Sequence, residues 1–370
     1  MNLIDVLILL STTMGLLTAL SIVVLSLTWL ERKFLGRIQM RMGPMRVGPY
    51  GLLQPIADAI KLMSKEDVLP GWVDKVVYWV APLIVFVPTF MIWITIPVAK
   101  DLAIRNMDMG LLYIVAFSVL SMVGLIAAGW ASANKYAVLG GFRAAAQLVS
   151  YEIPLILATL GVAMLAQSMN LVTIVDQQQI GLPYIFVQPL GLFLFFTAGL
   201  AELGRTPFDI HHAESEVVGG PFVEYSGMHW AVFFLAEYIN TFAIGALTTL
   251  LFLGGWTFPG LPTDILPIGI TIFLIKTYMV ILVIFWIRGT YPRLRIDQLM
   301  ALGWQVLVPL AFLNIILTAI YMFYGWPVWS STIMSAGILI ATFWGLSVHM
   351  KTAPAPVYTV KLYTPPAQEA

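Results

Sequence analysis

Cysteine is absent from the 370 residues, which excludes disulfides, thiolate-held iron–sulfur clusters and cysteine-type zinc sites within this chain. Any redox centre it serves must lie elsewhere or be a diffusible molecule. Charge is scarce as well. Asp, Glu, Lys and Arg make up 10% of the residues and the formal net charge is zero, so the basic excess that nucleic-acid binding draws on is missing. The N-terminus lacks a basic n-region and an A-x-A-like cleavage site, and its first apolar run is expected to be a retained span. What the chain has in abundance is apolar surface. It is 60% hydrophobic with a mean hydropathy of +0.90, outside the range of soluble domains.

Each crossing of a hydrocarbon core of about 30 Å needs roughly 20 apolar residues. Apolar runs bounded by charge, Pro or Gly predict nine membrane helices, near 4–30, 77–98, 110–131, 147–168, 184–202, 229–254, 265–287, 302–324 and 331–349, all within a single membrane domain 1–370. The expected class is an all-α polytopic membrane protein with one further, amphipathic helix on the surface, near 51–65. The cations test the count. Nine helices put sixteen Lys and Arg residues on one side and only Lys100 and Arg105 on the other, with Lys276 inside a span. The positive-inside rule then places the N-terminus outside, and the long loops and C-terminal tail in the cytoplasm, of a bacterial plasma membrane. No internal repeat of the inverted type that marks many transporters is evident.

Several segments carry more than hydropathy. Residues 51–65 put Leu52, Ile56, Ile60 and Met63 on one helical face and Gln54, Asp58, Lys61 and Lys65 on another. A helix lying on the membrane accounts for this; so does the lip of a cavity opening to lipid, with Asp58 and Lys61 meeting a polar headgroup. Upstream, Arg32 belongs to a basic cluster that also reads as a juxtamembrane anchor. Arg143 precedes a span and Glu152 lies in its first turns. The loop from Glu202 to Glu224 holds Glu202, Asp209, Glu214, Glu216 and Glu224 against one cation, Arg205. A solvated acidic loop is the plain reading. Its Pro, Phe, Val and Gly residues favour a packed one, in which neighbouring carboxylates disfavour one another's ionised form and some exchange protons near neutral pH. His211 and His212 do not have the spacing of an H-E-x-x-H zinc site, so no metal is expected. Glu237 and Lys276 stand inside spans, where a charge costs about 2.5–3.5 kcal/mol on the insertion scale, and so invite a functional reading or a buried ion pair.

In this order and spacing the motifs Leu30-Glu-Arg-Lys, Arg41-Met-Gly-Pro, Leu53-Gln-Pro-Ile-Ala-Asp, Ser150-Tyr-Glu, Arg205-Thr-Pro-Phe-Asp, Glu214-Ser-Glu, Glu224-Tyr-Ser, Ala236-Glu-Tyr and Trp286-Ile-Arg are specific. From about Trp29 to Trp304 the chain resembles the quinone-site membrane subunits of respiratory complex I, which are the H subunit of NADH-quinone oxidoreductase in bacteria and NADH dehydrogenase subunit 1 in mitochondria. The resemblance implies a wall of the quinone chamber, with Arg32, Asp58 and Lys61 at the quinone entrance. It implies that Glu152, Glu202, Asp209, Glu214, Glu216 and Glu237 belong to a chain of acids coupling quinone reduction to proton translocation; Lys276 joins that set as an intramembrane charge. Quinone is then a substrate, and nicotinamide, flavin mononucleotide and iron–sulfur sites belong to partners. Those partners would be the peripheral-arm quinone-site and iron–sulfur subunits, small membrane subunits and antiporter-like subunits. The equivalent subunit of a membrane-bound hydrogenase, or a stand-alone ion transporter, are the alternatives.

Overall fold

A computed structural model describes residues 3–100, 102–210, 214–261 and 265–352. His211, His212 and the Pro-rich tail fall outside the described residues, as does the side chain of Glu214. Among the described residues the chain is helical, and strand pairing is limited to one isolated bridge between Ala99 and Leu102. Eight helices are long and apolar enough to cross a membrane.

The first is α1 (Leu3–Ile38), followed by the short α2 (Gln54–Ser64). α3 (Lys75–Met91) begins where the Asp74 side chain accepts from Val77 N–H. It continues as a tighter turn to Ile94 and gives way before Pro97, which has no N–H to donate. After α4 (Gly110–Ala131) comes α5 (Lys135–Ala166), capped by Asn134, whose side chain accepts from Tyr136 N–H. This helix starts twelve residues before the expected 147, so Arg143 lies within it rather than ahead of it. The reason is packing: Ala137, Gly140, Gly141 and Ala144 are small and bury against neighbours. A Cβ on Gly140 would come within 2.5 Å of Gly220 Cα, and one on Gly124 of α4 within 2.5 Å of Val85 on α3. Small residues let helix backbones approach this closely in a membrane protein.

Next are α6 (Leu171–Ile180), α7 (Tyr184–Val187) and α8 (Pro189–Glu202). The expected helix 184–202 is therefore broken at Gln188 (φ −137°, ψ 64°), where Pro189 opens a new first turn. α8 alone, at 1.5 Å per residue, spans roughly 21 Å, less than the hydrocarbon core. It is nonetheless central, with Leu190, Leu194, Phe195 and Ala198 fully buried. The one-turn α9 (Glu214–Val217) leads to α10 (Gly227–Phe252) and α11 (Leu266–Thr290). α12 (Ile296–Ala301) runs through a wider π turn at 302–307 into α13 (Val308–Tyr324), and α14 (Val328–Thr352) closes the described chain. The surface helix expected at 51–65 is α2, and its Ile56, Ile60 and Met63, like Leu52 just before it, are exposed, as a helix seated in lipid requires.

The end of the bundle where α1, α8 and α11 finish and α5 and α10 begin collects nearly all the polar segments. The opposite end carries the segment 95–109 and the helix of residues 171–180. The candidate site lies at or beneath the first of these ends.

Candidate functional site

Three hollows, each sharing walls with the next, run inward from the flank of α2. The outermost, about 330 Å³, lies between α1, α2 and α10 and is lined by Thr28, Arg32, Asp58, Leu62, Met228 and Phe234 among others. Arg32 Nη1 donates to Asp58 Oδ2 at 2.5 Å and Gln54 Nε2 to Asp58 Oδ1 at 3.1 Å. Partial burial pushes the Asp58 carboxyl up, but these two hydrogen bonds and the positive charges of Arg32 and Lys61 outweigh it and hold it below its ordinary value. Lys61 is exposed and does not line the hollow. Of the expected entrance residues, Arg32 and Asp58 meet there and Lys61 contributes only its field.

The second hollow, about 220 Å³, sits beneath Val218 and Gly219 and is walled by Trp230, Phe233, Phe234 and Glu237. It shares Phe234 with the first. The third is about 60 Å³, room for several water molecules. Glu152 of α5, Glu202 of α8 and Glu237 of α10 line it together with Thr89, Ser118 and Asn240, and it shares Phe222, Phe233 and Glu237 with the second. Ser118 Oγ donates to Glu152 Oε1 at 3.2 Å. Three carboxylates expected from sequence to act together are thus neighbours around one space, brought from three helices. No Lys, Arg or His is among its described lining residues.

Why Glu152 faces inward follows from its two predecessors. Tyr151 is buried and its hydroxyl donates to Leu299 O at 2.9 Å, while Ser150 Oγ accepts from Trp304 Nε1 at 3.0 Å. Those bonds tie one face of α5 to α12 and the π turn, which turns the next residue toward α4 and α8. Gln147 extends the same face. Its side chain donates to Ala201 O and Phe208 O, fastening the end of α8 and the loop bearing Asp209. Glu216 lies apart from the hollow, half exposed and paired with Arg143.

Sequence reasoning passed over Glu31. Its carboxylate is 4% exposed and accepts from Arg205 Nη1 at 3.1 and 3.2 Å, from Tyr238 Oη at 2.6 Å, and from Arg288. The Arg205 guanidinium also lies over the Tyr238 ring, 4.4 Å from its centroid. One buried anion is thus held between two cations contributed by the acidic loop and by α11. The signal was present: Arg205 is the loop's lone cation, Arg288 ends a span, and Glu31 precedes Arg32 near the end of another. On α1, adjacent residues face different partners, Glu31 the interior and Arg32 the outer hollow.

Lys276 does not join the carboxylates. Its Nζ donates to Leu253 O and Thr257 O, both at 2.6 Å, capping the end of α10 with a cation, as free helix carbonyls favour. Glu237 lies sixteen residues before Leu253, roughly 24 Å along the α10 axis, so Lys276 and Glu237 cannot form an ion pair. Among the described residues no cluster of three or more His, Asp or Glu is placed to hold a metal ion.

Residues 11–319 match the family model described as NADH dehydrogenase. The H subunit of NADH-quinone oxidoreductase from Dehalococcoides mccartyi (strain CBDB1) is 46% identical over 323 residues, 87% of this chain and 89% of that protein. Its counterpart in Geobacillus sp. (strain WCH70) is 51% identical over 291 residues, 78% of this chain and 86% of the relative. That of Brevibacillus brevis is 47% identical over 296 residues, 80% and 88%. With five-sixths of its length inside the family model and its eight apolar helices, this polytopic membrane chain belongs to the NADH dehydrogenase family.

Proposed function

We propose that the chain is the membrane subunit of a proton-translocating NADH:quinone oxidoreductase, in which it walls the quinone chamber and passes the redox event on to acidic residues inside the membrane. The observation that carries this is the run of three hollows with shared walls, from the lipid-flanking slot beside Arg32 and Asp58 to the space ringed by Glu152, Glu202 and Glu237. The names of the relatives support it.

An apolar slot beside an arginine and a carboxylate suits a molecule with a hydrocarbon tail and a polar ring. Reducing that ring to the quinol takes two electrons and two protons. The electrons come from partners, since this chain has no cysteine with which to hold a cluster. Protons move along hydroxyls, waters and carboxyls, and the third hollow supplies all of these but the water itself. Three carboxyls around one small space titrate as a coupled set, so a change of charge at one is felt by the others. In this reading Glu152, Glu202 and Glu237 relay; Asp209, Glu214 and Glu216 form the loop that carries the signal to them; and Lys276 holds the far end of α10 in place. With α8 counted as a short ninth crossing, the cation distribution supports a cytoplasmic loop and α14 end and an outside N-terminus.

Purifying the assembly through a tag on this chain tests the reading. Quinone-dependent NADH oxidation should co-purify, with peripheral iron–sulfur subunits and antiporter-like membrane subunits identified by mass spectrometry. Hydrogen evolution with a hydrogenase subunit in their place would assign the chain to the sister complex. Purification of the chain alone, with ion transport activity, would make it a transporter.

A further inference from the structure

We propose that Asp67, Ser226 and His229 form a clasp between the segment after α2 and the start of α10, and that this clasp sets the width of the outer hollow's mouth. The proposal rests on the reading of that hollow as the passage for a tailed quinone. It makes the three residues positioning residues.

Asp67 lies three residues beyond the last residue of α2. Its Oδ2 lies 2.5 Å from His229 Nδ1, and its Oδ1 accepts from Ser226 Oγ at 3.3 Å. Ser226 Oγ also accepts from Val68 N–H at 3.1 Å. Gly227 stands between these partners with φ +53°, and a Cβ placed on it would sit 3.3 Å from Lys65 O and 3.7 Å from Asp67 Cβ. Its positive φ is a conformation that glycine adopts at little cost, and a Cβ there would be a few tenths of an ångström tight at Lys65 O and in ordinary contact with Asp67.

The two jaws of the clasp are unequal. The α10 jaw is built into the core. His229 is buried, with its ring edge-on to Trp79 at 4.2 Å and tilted against Tyr78 at 5.3 Å. Tyr78 in turn stacks on Tyr225 at 4.2 Å, its hydroxyl donating to Glu224 O at 3.1 Å, and the Glu224 carboxylate accepts from Asn134. The whole Glu224-Tyr-Ser-Gly motif thereby serves to fix one jaw. The α2 jaw is peripheral. The Asp67 side chain is 33% exposed, and α2 buries only Pro55. Leu62 and Met63 wall the hollow just before this jaw, and Met228 and Ala231 wall it on either side of His229. Opening the clasp therefore parts the two walls, leaving the Arg32–Asp58 pair as the polar tie between α2 and α1.

A mouth that grips a tail should discriminate by tail length. With the quinone ring inside, a long isoprenoid tail still occupies the mouth while a short one does not. The test uses the assembled complex carrying Asp67→Cys with Gly227→Cys. A Cβ separation of 3.7 Å between the two positions suits a disulfide, and the chain contributes no other cysteine. The readout is the ratio of turnover with a long-tailed quinone to that with a short-tailed analogue. That ratio should rise about fivefold or more on oxidation, which holds the mouth closed on the tail, and fall back on reduction, when position 67 has no carboxylate to close it. An unchanged ratio with the disulfide formed overturns the clasp. Should this pair fail to assemble, Asp67→Asn decides. KM for the long-tailed quinone should rise about threefold with little change in kcat and little change in KM for the short one; equal shifts for both tails overturn it. Loss of the underlying reading would look different: the unsubstituted complex would reduce neither quinone.

Discussion

Glu31 and Glu202 both reach the interior from helix ends on the same side of the bundle, yet their surroundings are opposite. Both Glu31 oxygens are occupied, by Arg205, Arg288 and Tyr238, and its surroundings are filled. Glu202 borders a void, shared with Glu152 and Glu237, whose described lining holds no cation. A buried anion locked between two guanidinium groups is a structural joint. Acids around a space that admits water can change their protonation without the helices moving. The contrast separates what holds the bundle together from what can respond, and substitutions at each should sort accordingly.

The largest effect is expected at the joint. Glu31→Gln keeps the shape but leaves the buried Arg205 guanidinium facing the part-exposed Arg288 with no anion between them, and breaking a buried pair costs about 3–5 kcal/mol. The chain should fall to a small fraction of its normal content in membranes, as read by immunoblot, with NADH oxidation lost in proportion. Normal content with lost turnover would instead move Glu31 into the responsive set.

Next in size is the hollow. Glu202→Gln and Glu237→Gln should leave the assembly intact and lower quinone-dependent turnover about tenfold, a barrier increase of about 1.4 kcal/mol. Glu→Asp at the same positions should be milder. Loss of the chain from membranes in either Gln variant would erase the distinction from Glu31.

At the outer mouth the expectation is smaller. Asp58→Asn removes the charge that holds Arg32, an exposed pair worth about 0–1 kcal/mol. KM for quinone should rise a few-fold with little loss of kcat. Because the Asp58 carboxyl is held below its ordinary value of 3.8, its stabilising contribution is complete above that pH. It is lost only as the pH falls through the still lower folded value, so this KM effect should be flat across the neutral range.

The smallest effect on turnover is expected at Lys276→Met. Loss of the cation from two carbonyls costs about 1–2 kcal/mol and should show as a lower thermal midpoint in detergent, with turnover within about twofold of normal. A large loss of turnover without a stability change would return Lys276 to the coupling chain.

How much of this was legible in the sequence depended on the range of the interaction. Hydropathy located eight of the nine expected membrane helices because each is a local run, and the amphipathic period found α2 within a few residues. It misplaced the start of α5 because Ala and Gly at 137–144 give weak hydropathy, and their burial depends on helices distant in sequence. It fused α7 and α8 because the break at Gln188 is one residue wide. The cost of charge inside a span singled out Glu237 and Lys276, while the family resemblance grouped Glu152, Glu202 and Glu237 with the loop acids Asp209, Glu214 and Glu216. The same rule passed over Glu31, since its cations come from positions 205 and 288. A charge in the middle of a span drew Lys276 into the group, though the carbonyls that hold it are set by how α10 ends. Nor did any local pattern join Asp67 to His229, whose contact exists only once the chain after α2 has folded back over α10.

The most direct test of the contrast between joint and hollow is to measure assembly, NADH:quinone turnover and proton pumping together in sealed vesicles. The variants are Glu31→Gln and the triple replacement Glu152→Gln, Glu202→Gln and Glu237→Gln. The first should lose its content in membranes and all activity in step, while the second should keep its content and lose turnover and pumping together. A triple variant that pumps and turns over at near-normal rates would contradict the assignment of the hollow as the responsive part of the molecule.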